Sequence, residues 1–204
     1  MHINVPEIEI ADARDAARAM RVLLEAFRED PAVRWIFPEE TGYERHFPRL
    51  VHAMGGEAFT LGTAYRMADD SAVALWLPPG VESDADAILQ VIEDGVPAMR
   101  RDEVLGMAEQ MGHHHPEAPH WYLPFIGVHP ARQGRGHGSA LMRHALETGE
   151  RSSMIAYLES SNPSNICLYE RMGFEIAGVI RTPTSPPVTP MHRRAVSPSQ
   201  IQAA

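Results

Sequence analysis

The chain has 204 residues, enough for one domain with a single sizeable core, and 44% of them are apolar, which excludes a disordered chain. The formal charge of -9 at pH 7 weighs against nucleic acid or an anionic membrane as the main partner and suits a cationic one such as an amine. No apolar run is long enough to cross a bilayer, the start lacks a basic-then-apolar signal, and the single Cys167 makes no internal disulfide, so a cytoplasmic protein is expected.

In chain order, residues 12–28 carry Ala16, Met20, Leu23, Leu24 and Phe27 at helical spacing, with Asp12 as N-cap and Asp30-Pro31 as the stop. A second helix has Tyr43, Phe47, Leu50, Val51 and Met54 on one side and ends near Gly55-Gly56. Residues 63–67 and 72–77 read as a hairpin around the turn-prone 68–71, closed by Pro78-Pro79-Gly80. Residues 84–111 are helical, with a break near Gly95 and Pro97. Residues 113–119, which include three consecutive histidines, read as a loop. Residues 121–128 are a buried strand in which Pro124 demands an edge, a bulge or a splay. A helix with Leu141, Met142, Ala145 and Leu146 follows. A strand at 154–158, a short helix at 166–171, a strand at 174–180 and a last strand around Met191 complete the pattern. This alternation predicts one α/β (α+β) domain with a mixed sheet over 1–196 and a loose tail over 197–204.

The strongest local signal joins the strand ending at Val128 to the next helix. Gly134, Gly136 and Gly138 remove three side chains, so backbone N–H groups can approach an anion at a helix N-terminus, with Arg132 and Arg135 adding long-range attraction. A turn serving chain geometry alone fits the spacing about as well. A P-loop fits poorly because Gly-Lys-Ser/Thr is missing, and a dinucleotide fingerprint is out of register where the run continues to Ser139.

Gln133-x-x-Gly136-x-Gly138, directly after Gly127-Val128, resembles the acetyl-CoA signature of the GNAT family of N-acetyltransferases. The downstream run from Leu158-Glu159-Ser160-Ser161-Asn162-Pro163-Ser164-Asn165 through Tyr169-Glu170-Arg171-Met172-Gly173-Phe174 resembles that family's second half. Three shorter stretches, Pro119-His120-Trp121-Tyr122-Leu123, Gly127-Val128-His129-Pro130 and Asp30-Pro31-Ala32-Val33-Arg34, are similar to the puromycin N-acetyltransferase branch. The resemblance implies a mostly antiparallel sheet splayed between its fourth and fifth strands, with helices on both faces. It implies acetyl-CoA as donor, its pantetheine lying along Phe125, Ile126, Gly127 and Val128 and its pyrophosphate on Gln133, Gly134, Arg135, Gly136, His137, Gly138 and Ser139. A backbone N–H at 126–128 becomes the oxyanion donor, Asn165 a pantetheine ligand or a turn residue, and Tyr169 the acid for the leaving sulfur, packing under the sheet being the plainer alternative.

Acyl transfer also needs a neutral amine. Many members of the family place a carboxylate on the strand before the cradle, but residues 121–128 contain none. Glu159 is therefore the preferred base and His120 the second, although Glu159 equally suits a role in orienting the following loop. Trp35, Trp76 and Trp121, with Glu159, are candidates to line the acceptor pocket, each tryptophan being individually as well suited to the core. The three histidines have no partners at metal-ligand spacing, so no metal is expected and the loop is read as bordering the acceptor pocket. The expectation is thus an acetyl-CoA-dependent N-acetyltransferase of small primary amines, monomeric or homodimeric, with no nucleic acid or membrane partner. A protein lysine or N-terminal acetyltransferase and a non-catalytic acyl-CoA sensor remain the alternatives.

Overall fold

The computed structural model describes residues 6–147 and 153–195. One mixed sheet of seven strands organises the described residues. Four strands run antiparallel from one edge: β1 (Ile8–Ala11), β2 (Ala64–Met67), β3 (Ala72–Leu77) and β4 (His120–Val128). β5 (Ile155–Ser160) lies parallel to β4, and β7 (Thr189–Arg193) is inserted antiparallel between β5 and the two-residue β6 (Glu175–Ile176).

Helices cover both faces. On one side α1 (Ala16–Phe27) and α3 (Glu40–Gly55) pack Leu23, Phe47 and Val51 on Leu75, Tyr122 and Phe125. α1 approaches β4 so closely that a Cβ on Gly127 would lie 2.8 Å from that of Ala26, so only glycine fits there. On the other side α6 (His137–Glu147) sets Leu141 and Met142 against Trp76, Trp121 and Leu158. Strand alternation explains the division: Trp121 and Tyr122 are neighbours in β4 and lie in opposite cores.

The structure matches the expected hairpin of β2 and β3, α6, and the short α7 (Ile166–Arg171), and it departs from the sequence reading in five places. α1 opens at Ala16, because the Asp12 carboxylate is occupied by the backbone and guanidinium of Arg14 in a preceding turn. Asp30-Pro31 does not merely stop a helix. Asp30 caps α2 (Pro31–Ile36), accepting from the N–H groups of Ala32 and Val33, with Pro31 in the first turn where its missing N–H costs nothing. The helix expected at 84–111 is α4 (Ala85–Gly95) and α5 (Arg101–His114), the second running two histidines into the expected loop. It ends at His115, which is extended (φ -60°, ψ 134°) as a residue before proline prefers. The strand expected at 174–180 shrinks to β6 and an isolated Ile180–Val188 bridge, and β1 was not anticipated. The tail at 197–204 lies outside the described residues. No helix among them is long and apolar enough to cross a membrane.

The feature that positions the site is a parting of strands. β4 and β5 pair from His120↔Ile155 to Leu123↔Leu158. Beyond Pro124, which has no N–H for a ladder, β4 continues to pair with β3 up to Ala72↔Val128, while Glu159 and Ser160 of β5 pair with β7. The β4 edge at 125–128 is left open toward β5.

Candidate active site

The open edge leads directly into the glycine turn. Gly134 and Gly136 have φ of 72° and 82°, a region costly for other residues, and a Cβ on either would meet nothing within 4 Å. The N–H groups of residues 134–139 have no acceptor among the described residues, and the first bond of α6 runs from Ala140 N–H to the Gly136 carbonyl. Six unpaired amides at a helix N-terminus, beside space cleared of side chains, fit a pyrophosphate. Gln133 holds the turn from below, its amide donating to the Val128 carbonyl at 3.2 Å. His137 takes a place the sequence did not suggest: its side chain is buried, with Nδ1 2.8 Å from Ser71 Oγ in the β2–β3 turn, so only its backbone faces the cradle. Arg135 is exposed, and Ser139 lies in the first turn of α6.

A cavity of about 670 Å³ opens where β4 and β5 part, bounded by α1 to α5 above and α7 at its end. Tyr169, Asn165, Glu159, His120, Phe125 and Ile126 all line it, so the parting brings both expected donor-side and base candidates to one space. Tyr169 is 6% exposed, and its hydroxyl has no hydrogen-bond partner among the described residues. Burial raises its pKa well above the ordinary tyrosine value, and the Asp30 carboxylate raises it further, so the hydroxyl stays protonated. Asp30 is itself buried, which raises its own pKa despite hydrogen bonds from Ser161, Val33 and Ala32. Asn165 makes no cap bond with its side chain. That work falls to Asn162, which accepts from Ser164, and the Asn165 side chain is free to meet a ligand.

Glu159, the first residue of β5 beyond its pairing with β4, has a side chain that is 4% exposed. Oε1 lies 3.1 Å from His115 Nε2, an ion-pair distance, and makes no hydrogen bond among the described residues. The His115 ring packs on Tyr122, Tyr157 and His120 with centroids 4.7, 4.5 and 5.5 Å away. Burial, the Glu159 charge and hydrogen bonding to Glu159 hold both tyrosines far above their ordinary pKa, so their hydroxyls stay protonated and face the carboxylate as donors. Sequence reasoning placed the histidine loop beside the acceptor pocket but did not single out His115, which pairs with Glu159 only through tertiary structure.

His120 has a lowered pKa, chiefly from burial and also from His115, while the Ala118 carbonyl 2.9 Å from Nδ1 and the Glu159 charge work the other way. The folded protein therefore binds this proton less tightly than the unfolded chain, whose histidine titrates near 6.5. The sign follows: stability is complete above that value and is lost as the pH falls from about 6.5 toward the depressed folded value. Thermal melts between about pH 7 and 5 should show a smaller acid loss for His120→Asn than for the native chain. Equal losses would mean that His120 is not desolvated.

All three tryptophan assignments are corrected. Trp76 and Trp121 lie in the core under α6, on the face of the sheet away from the apolar cavity wall, and neither lines the cavity. Trp35 does not line it either. Its indole donates to Thr184 Oγ1 and its ring lies under the Arg100 guanidinium. The aromatic wall is formed instead by Phe27, Phe37, Tyr122 and Phe125. Of the other histidines, His114 bonds the Gln110 carbonyl and His113 is exposed. Cys167 is exposed as well.

Residues 62–174, more than half of the chain, match the sequence model of the Acetyltransferase (GNAT) family. An uncharacterized N-acetyltransferase of Schizosaccharomyces pombe is 23% identical over 185 residues, covering 80% of this chain and 72% of that one. Among solved structures, the histone acetyltransferase HPA2 and related acetyltransferase of Corynebacterium glutamicum superposes with a TM-score of 0.66 at 24% identity, over 96% of this chain and 99% of that one. Arylalkylamine N-acetyltransferase 2 of Aedes aegypti also gives 0.66, at 10% identity over 95% and 100%. At those identities the structures speak for the fold. The sequence match over residues 62–174, carrying both the cradle and Tyr169, decides the relationship: the chain belongs to the GNAT acetyltransferase family, transferases that act with acetyl-CoA.

Proposed function

We propose that the protein transfers the acetyl group of acetyl-CoA to a primary amine of a small molecule by direct attack in a ternary complex. The observation that carries this reading is the convergence, in one cavity at the parting of β4 and β5, of a tyrosine hydroxyl without a partner among the described residues and a buried carboxylate paired with a histidine. The residue types fit acetyl-CoA: unpaired amides at 134–139 for the pyrophosphate, the open β4 edge at 125–128 for the amides of the pantetheine arm, and Asn165 beside it. Acetyl-CoA supplies an activated thioester; the protein supplies placement and proton traffic. The short stretches similar to puromycin N-acetyltransferases favour a small-molecule acceptor.

Glu159, paired with His115, attracts the ammonium form of the acceptor and takes up the proton it sheds, with His120 as a neutral relay beside it. The amine nitrogen bonds to the thioester carbon, and an N–H of the open β4 edge stabilises the oxyanion. As the carbon–sulfur bond breaks, the Tyr169 hydroxyl gives its proton to the departing thiolate, and the proton that the attached nitrogen sheds on becoming an amide restores the hydroxyl, so that the second proton of the ammonium ends on the thiol. A thiolate whose conjugate acid has a pKa near 8.5 also leaves unaided, so this help is limited. Tyr169→Phe should lower kcat about 10- to 100-fold and leave KM for acetyl-CoA within about threefold. An unchanged kcat would make Tyr169 a packing residue.

The reaction itself is tested by release of thiol from acetyl-CoA, followed spectrophotometrically with panels of aminonucleosides, alkyl and arylalkyl amines, polyamines and lysine peptides. Turnover that depends on one amine class is expected. Acetyl-CoA binding without turnover on any amine would contradict the catalytic reading.

A further inference from the structure

The cavity has one polar end and a long apolar wall, and this asymmetry carries a statement about the acceptor that rests on the transferase reading above. Leu50 of α3, Val91 and Ile92 of α4, and Val104, Met107 and Met111 of α5 form that wall. The hydroxyls of Ser83 and Ser161 also border the cavity, but both are spent on protein partners: Ser83 donates to the Met54 carbonyl at 2.9 Å and Ser161 to Asp30 at 2.7 Å. Asn165 and Tyr169 stand at the donor end. Two further carboxylates, Glu82 and Glu117, are exposed, where solvent weakens any hold on a second cation. The buried Glu159 oxygen without a donor is thus the strongest point for a cation in the whole space.

Glu159 Oε1 is buried with His115 at ion-pair distance and no hydrogen-bond donor of its own, although Tyr122 and Tyr157 also face the carboxylate, and an ammonium can supply up to three donors. The remainder of such a ligand must then lie against aliphatic side chains, where hydroxyls or a second ammonium would lose water without replacement. Of the cavity's volume of about 670 Å³, the end at Asn165 and Tyr169 goes to the donor's arm, and the part along α3–α5 is left for a small acceptor. We infer that the acceptor is a primary monoamine with an apolar alkyl or aromatic body, its nitrogen at Glu159 and its body along the α3–α5 wall. Polyamines, aminosugars and lysine tails of proteins do not match this lining.

Thiol release from acetyl-CoA across butylamine to octylamine, with phenethylamine, spermidine and a lysine peptide, tests the inference. Each added methylene that reaches the wall should raise kcat/KM about fourfold, and spermidine should fall at least about 100-fold below octylamine. Met111→Glu should cost octylamine at least about tenfold while acetyl-CoA affinity stays within about twofold. A rate independent of chain length, or a preference for spermidine or peptide, would overturn the inference and leave the transferase reading intact. No thiol release with any amine would sink the transferase reading. Calorimetric titration of the same alkylamines would then decide the chemistry of the cavity, with affinity that rises with chain length supporting an apolar ligand and no heat from any of them overturning it.

Discussion

Glu159→Gln is expected to lower kcat/KM for an alkylamine by about 10²- to 10³-fold, with the affinity for acetyl-CoA unchanged. The substitution keeps the shape of the side chain and removes its charge and basicity. Both functions of the carboxylate are lost at once: it no longer draws the ammonium into the cavity, and it no longer receives the proton. KM for the amine should rise and kcat should fall, in contrast to a purely structural change. The fold should tolerate the change, because the native carboxylate is buried with an oxygen that lacks a donor, an arrangement that costs stability by itself. The melting temperature should therefore stay level or rise. A variant that retains activity within about threefold would show that Glu159 orients the loop after β5, and that His115 or His120 carries the proton alone.

Gly136→Ala is the second large effect, and it separates conformation from ligand contact. At φ 82° an alanine is strained by about 1–2 kcal/mol, or roughly 2–8 °C of melting temperature for a chain of this size. No atom within 4 Å opposes the new methyl group, so the protein without ligand should still fold. The methyl would nevertheless stand in the space that the glycines keep clear before the amides of 134–139. Acetyl-CoA affinity should fall about 10- to 100-fold, on the order of 1.4–2.8 kcal/mol. A lowered melting temperature with unchanged affinity would reduce the glycines to a feature of chain geometry.

What the sequence disclosed was mostly local. The glycine turn, the Ile166 helix and the β2–β3 hairpin announce themselves within a few residues, because glycine, proline and apolar periodicity act at short range. Pro124 even marked the place where β4 leaves β5. Nonlocal facts were hidden. Nothing in residues 189–193 reveals insertion between β5 and β6, and β1, with Ile10 61% exposed, is too short and too weakly patterned to read. The pairing of His115 with Glu159 joins the end of α5 to β5, which no spacing rule predicts. Alternation in β4 sets Trp121 against Tyr122, but which of the two faces the cavity depends on where α1 and α6 dock. The helix extending through His114 shows that three histidines do not break a helix; the following His115-Pro116 step does.

Acetyl-CoA is expected to bind between the parted strands and the glycine turn. Calorimetric titration of the protein with acetyl-CoA, before any amine is chosen, tests it most directly. One site per chain is predicted, with a dissociation constant in the micromolar range usual for enzyme substrates, weakened by Gly136→Ala and indifferent to Glu159→Gln. An absence of heat at millimolar acetyl-CoA, or binding that Gly136→Ala leaves unaltered, would contradict it.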